Sequence, residues 1–304
     1  MKPAWLQGIP PSRWAARIHP LVDDQRAAIN RFYLAHRPFP DVAAGEKFVR
    51  SDLTGSVCYA YPDAKPERIG FACLLLVLLF LVDDLLEEMS LADGKQYNEA
   101  LMEMMRGPGG RGVQPDRTVP AQWFMFDLWE EMRNCDRAGA ERVLEPAFKF
   151  MRKQTDPRRL KKMGLDEYLK YRGEDVGTYF IAELGRFSAG VLLSDTERKL
   201  IHPLELNYAH HLSVMNDCWS YDKELRAARE LHPEGGVLCN AVANLVEDTG
   251  MPVIEARGEL YRRCREWEEC HDQLAVEMLA KWDTKEYKGV EAECRYDSRS
   301  DCGQ

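Results

Sequence analysis

Residues 71–89 read FACLLLVLLFLVDDLLEEM. An apolar run without Gly or Pro, and without polar alternation, forms a helix buried on nearly every side. The uncharged part, 71–82, falls short of the roughly 20 residues a membrane span requires and runs straight into Asp83 and Asp84, so it is a core helix. Its acidic end is costly. Asp83, Asp84, Glu87 and Glu88 repel one another and face the negative end of the helix dipole, at about 0.3–1 kcal/mol each when exposed. A bound hard cation removes that conflict, since Mg2+ takes one or two carboxylates together with water and phosphate oxygens. Asp83 and Glu87, four apart, share a helix face. An acidic cluster alone is explained as readily by a solvated helix end.

Outward from this stretch the apolar residues recur at three and four, and Asn-Gly hairpin signals are absent. The chain is predicted all-α, with helices over 21–36, 44–52, 66–91, 95–106, 120–135, 138–153, 165–190, 194–230, 236–248 and 252–281. Gly107–Pro120 and the HPEGG segment at 232–236 are loops, and 283–304 is a polar tail. No repeat or long linker interrupts the 304 residues, and 1–304 is expected to form a single domain. The balance of 41 Lys and Arg against 50 Asp and Glu gives a net charge of −9, which opposes nucleic acid and anionic lipid. Nine cysteines, an odd number without a C-x-x-C pair, are expected as reduced thiols. The first twenty residues carry Pro and Trp where a secretory signal needs an unbroken apolar region. No signal peptide is expected, and the predicted setting is cytoplasmic.

A second constellation lies at 216–224, NDCWSYDKE. Asn216, Ser220 and Glu224 are spaced by four, so they drift about 80° around a helix and span about 12 Å along it. An amide oxygen, a hydroxyl and a carboxylate on one stripe suit Mg2+, and Lys223 adds a phosphate donor beside them. A polar helix face accounts for the same pattern in isolation. In YLKYRGEDVG, residues 168–177, Arg172 and Asp175 are three apart; the guanidinium suits bidentate phosphate recognition, and the carboxylate could steady it. A surface ion pair is the simpler explanation of those two alone. Arg295 and Tyr296 sit adjacent in the polar tail.

Together these pieces resemble the class I terpene synthases of the fungal sesquiterpene type, and among them the aristolochene synthases in particular. The resemblance rests on FACLLLVLLFLVDDLLEEMSLADGKQYNE, LEPAFKFMRKQTD, YLKYRGEDVG, HLSVMNDCWSYDKE, HPEGGVLC and CREWE, in that order. It implies a helical bundle around an apolar cavity, with two metal motifs facing across its mouth. It also implies three Mg2+ ions, two on Asp83 and one on Asn216, Ser220 and Glu224, with farnesyl diphosphate as substrate. Arg172, Lys223, Arg295 and Tyr296 correspond to the residues that hold the diphosphate. Asp175, Val176 and Gly177 correspond to those that couple diphosphate sensing to ionisation, and Phe80 and Phe150 to aromatics that line the cavity.

The chemistry implied is cyclisation to a bicyclic hydrocarbon through a neutral ten-membered-ring intermediate, by an enzyme with no membrane span and no nucleic-acid partner; a homo-oligomer is compatible with it. The chain departs from the family before Arg295, where a further helix and a Gly-Asn…Trp-Ser stretch are missing, and this predicts incomplete closure over the diphosphate. Two other readings compete. A prenyltransferase would carry a second aspartate-rich motif where Asn216, Ser220 and Glu224 stand, and a non-catalytic binding protein could keep the bundle without the activity. A di-iron bundle needs two Glu-x-x-His pairs, and only Glu268 and His271 fit that spacing.

Overall fold

The computed structural model describes residues 3–107, 113–231 and 238–281. Among the described residues there is no strand. The helices are α1 (Val22–His36), α2 (Val42–Arg50), α3 (Leu53–Ala60), α4 (Ile69–Glu87), α5 (Leu91–Arg106), α6 (Pro120–Lys153), α7 (Leu165–Asp175), α8 (Thr178–Ala189), α9 (Asp195–Leu231), α10 (Ala241–Thr249) and α11 (Val253–Lys281). The predicted all-α class is borne out.

The apolar stretch that decided the fold is the centre of one core. Ile69, Ala72, Cys73, Leu75 and Val77 of α4 are fully buried, with α1, α3, α6 and α8 packed against the helix. The helix is longer than the run 71–82. Its 18-residue window Ile69–Leu86 is apolar enough to cross a membrane by length and composition, and 56% of that window is buried inside the bundle. Phe80 breaks the pattern at 42% exposed. A second core joins α7, α9, α10 and α11 through Tyr168, Leu169, Val214, Cys218, Ala241 and Leu260. Contacts of α7 with α6 and α8, and of α8 with α9, join the two cores.

Three helix boundaries show where tertiary contacts overrode periodicity. The expected helix 44–52 ends at Arg50, and a new one starts at Leu53, because Asp52 adopts a left-handed backbone at φ 48°. The Asp52 carboxylate accepts from Arg26 Nε at 2.8 Å and Nη2 at 2.5 Å and caps α3 through Gly55 N, so a clamp from α1 fixes the turn. The Arg26 guanidinium holds that carboxyl below its usual range. The expected break between 135 and 138 is a kink inside α6, where Asp136 at φ −158° and ψ 92° caps the following turn through Gly139 N and is held by Arg68 at 2.9 Å. The expected continuous helix 165–190 is two helices, parted at Gly177 with φ 81°. A Cβ there would lie 2.7 Å from the Phe150 ring, so only glycine fits on grounds of both backbone and space.

Candidate active site

Asp83 and Asp84 lie three and four residues after Phe80 along the open face of α4, and all three are exposed. Asp83 Oδ1 accepts from Gln154 Nε2 at the end of α6, 3.0 Å away. Asp84 Oδ1 accepts from Lys223 Nζ at 3.1 Å, a contact that joins the end of α4 to α9. The two acidic and polar stripes read from sequence are therefore neighbours in space. Glu87 and Asp175 are the last helical residues of α4 and α7, and their side chains lie outside those described. Arg295 and Tyr296 also lie outside the described residues, as does the HPEGG loop.

The α9 stripe is supported from behind. Ser220 Oγ donates to the Asn216 carbonyl at 2.8 Å, which keeps the hydroxyl oxygen's lone pairs available. Glu224 is half-buried, and its Oε2 accepts from Asn240 Nδ2 at 2.9 Å. Arg172 is buried and reaches α9 from α7. Its Nη2 donates to Asn216 Oδ1 at 3.0 Å and to Asp217 Oδ1 at 3.1 Å, and its Nε donates to the same Asp217 oxygen at 3.2 Å. Asp217 is wholly buried; its Oδ2 accepts from the Tyr168 hydroxyl at 2.6 Å and from Ala241 N at 2.8 Å. Burial lifts its carboxyl to about 6 against the pull of Arg172.

Val176 and Gly177 form the break between α7 and α8, a turn away from Arg172. Phe150 lies against Gly177 and stacks on Phe180, with ring centroids 5.7 Å apart and planes 13° from parallel.

Three contributors escaped sequence reasoning: Asp217, Asn240 and Gln154. A signal for Asp217 was present. It shares a face with Val214, Cys218 and Tyr221, all buried, and a carboxylate on such a face needs a cationic partner. That partner is Arg172, whose described carboxylate contact is thus on α9. Glu268, the one member of a Glu-x-x-His pair with the right spacing, is bound to His211 at 3.3 Å, to Ser12 at 3.1 Å and to Arg265, which accounts for its burial without a metal.

The donors available at the opening are an amide, a hydroxyl and carboxylates, all hard oxygens. Among the described residues no three His, Cys, Asp or Glu side chains converge into a closed cage. Hard oxygen donors suit a hard cation and do not suit a tetrahedral zinc site.

The described helices and the facing motifs define a class I terpenoid synthase. Residues 74–269 match the model of terpene synthase family 2, C-terminal metal binding. The (+)-aristolochene synthase of Penicillium expansum is 44% identical over 276 residues, covering 91% of this chain and 82% of that protein. An aristolochene synthase of Aspergillus terreus is 43% identical over 272 residues, covering 90% and 84%. The crystal structure of aristolochene synthase from Penicillium roqueforti matches with a TM-score of 0.83 at 38% identity, over 97% of both chains. Hedycaryol synthase in complex with nerolidol, at 19% identity and a TM-score of 0.76, shares the fold. The chain belongs to the terpene synthase family; it is a terpene cyclase, and its family uses a divalent metal.

Proposed function

We propose that the protein is a Mg2+-dependent sesquiterpene cyclase, converting farnesyl diphosphate to a bicyclic, aristolochene-like hydrocarbon and diphosphate, and that residues 1–304 act as one cytoplasmic catalytic domain. The observation that carries this reading is the Asp84–Lys223 contact, which sets two oxygen-rich motifs from distant parts of the chain side by side. Asp83 and Glu87 would hold Mg2+ on one side and Asn216, Ser220 and Glu224 on the other, three ions in all. The metal supplies neutralisation of the charge that develops on the departing diphosphate. Arg172 and Lys223, with Arg295 and Tyr296, would take the diphosphate oxygens, and the Arg172 fork suits bidentate contact. The C–O bond breaks with its electron pair leaving on diphosphate. The cation left behind is exposed to the ring faces of Phe80 and Phe150, while Asp175, Val176 and Gly177 link the Arg172 helix to the break beside Phe150.

Incubating the purified protein with farnesyl diphosphate and Mg2+, then analysing the extract by gas chromatography, tests the reading. A cyclic C15 hydrocarbon that disappears on chelation of the metal is expected. Release of no diphosphate, or release of farnesol alone, overturns it.

A further inference from the structure

Glu224 is set by a residue outside its own motif. Asn240 is wholly buried at the start of α10, and each polar atom of its amide is engaged. Nδ2 donates twice, to Glu224 Oε2 at 2.9 Å and to the Asp217 carbonyl at 3.0 Å, while Oδ1 accepts from Val242 N at 2.9 Å. Turning the amide over would set an oxygen against the Glu224 carboxylate and leave the Val242 N–H facing a donor, so only one orientation satisfies the site. The side chain therefore does three things: it caps α10, it ties that cap to the Asp217 carbonyl of α9, and it fixes one oxygen of Glu224 while leaving Oε1 for another partner. The platform beneath is rigid, because the Asp217 carboxylate binds Ala241 N and Tyr168 and ties the start of α10 to α9 and α7.

We infer that Asn240 is a positioning residue for the cation held by Glu224, acting through that carboxylate and not touching substrate. The inference rests on the metal role proposed for Glu224. Serine keeps the cap, which it forms about as well as asparagine, and gives up the two Nδ2 contacts, to Glu224 and to the Asp217 carbonyl. Mn2+ binding in the presence of inorganic diphosphate, followed by electron paramagnetic resonance, should be measured for the wild type, Asn240→Ser and Glu224→Ala, with melting temperatures alongside.

The expected result is that Asn240→Ser stays folded, with a melting temperature lowered by the lost Asp217 contact, and binds Mn2+ roughly 10- to 100-fold more weakly, the usual loss when a ligand's outer partner is removed. Its Mg2+ half-saturation should rise by more than turnover at saturating Mg2+ falls. Asn240→Asp keeps the cap and the volume but sets a second acid against Glu224, and it should bind Mn2+ at least as weakly; it serves as the test if the serine variant does not fold. Wild-type Mn2+ binding in Asn240→Ser or Asn240→Asp, with Glu224→Ala impaired, would reduce Asn240 to a helix cap and overturn the inference while leaving the metal role of Glu224 intact. Equal binding by the wild type and Glu224→Ala would overturn both.

Discussion

The end of α4 and the middle of α9 carry the two halves of one site, and they are supported very differently. Asp83 and Asp84 stand exposed on a helix terminus; the Asp84–Lys223 pair leaves both side chains more than half accessible. Asn216, Ser220 and Glu224 lie in mid-helix above a buried lattice of Arg172, Asp217, Tyr168 and Asn240. The α9 half is thus held by buried side chains, whereas on the α4 half Asp83 is held by Gln154 and Asp84 by an exposed pair.

The contrast is tested first where it is largest. Asp217→Ala takes a buried carboxylate away from Arg172, Tyr168 and Ala241 N and should cost about 3–5 kcal/mol in chemical denaturation, whereas Asp84→Ala, which removes an exposed pair, should cost less than about 1 kcal/mol. Equal losses in the two variants would erase the distinction. Next in size is turnover. Asp83→Ala and Glu224→Ala should each lower it by at least roughly 10²-fold at saturating Mg2+, the scale of losing one preorganised electrostatic contact, and an unchanged rate in either would remove that half from the site. Phe80→Leu should then leave the rate of diphosphate release close to normal and shift the products toward acyclic and monocyclic compounds, since a ring face stabilises a nearby cation by about 0.5–2 kcal/mol. Smallest is Gln154→Ala. It deletes the hydrogen bond to Asp83, worth about 1 kcal/mol, together with the contact from Asn98, and should raise the Mg2+ half-saturation a few-fold.

Much of this site could be read before the structure. The open face of α4 follows from helical spacing, since Asp83 and Asp84 fall three and four residues after Phe80 in a helix otherwise apolar, and the α9 stripe follows from the spacing of four. What spacing could not supply was the identity of partners far along the chain. Arg172 suggested a carboxylate three residues on; its described partners are Asp217 and Asn216, reached only because α7 packs on α9. The break at Gly177 was hidden by apolar periodicity that continues on both sides of it, and the turn at Asp52 depends on Arg26 from another helix. Asn240 falls inside the helix expected over 236–248, whereas α10 starts at Ala241 with Asn240 as its cap, and a single polar side chain there carries no signal until the fold sets it against Glu224.

The exposure of Phe80 has a consequence for how this protein can change. A ring 42% exposed contributes less to holding the bundle together than the fully buried Leu75 and Val77. Exchanging it should therefore cost less stability than a substitution at either of those positions and, on the proposed function, alter what the reacting cation meets. Selection acting on this position can move from one product to another with a smaller stability reserve than those positions would demand, so diversification of chemistry is loosened here from the threshold that usually limits it.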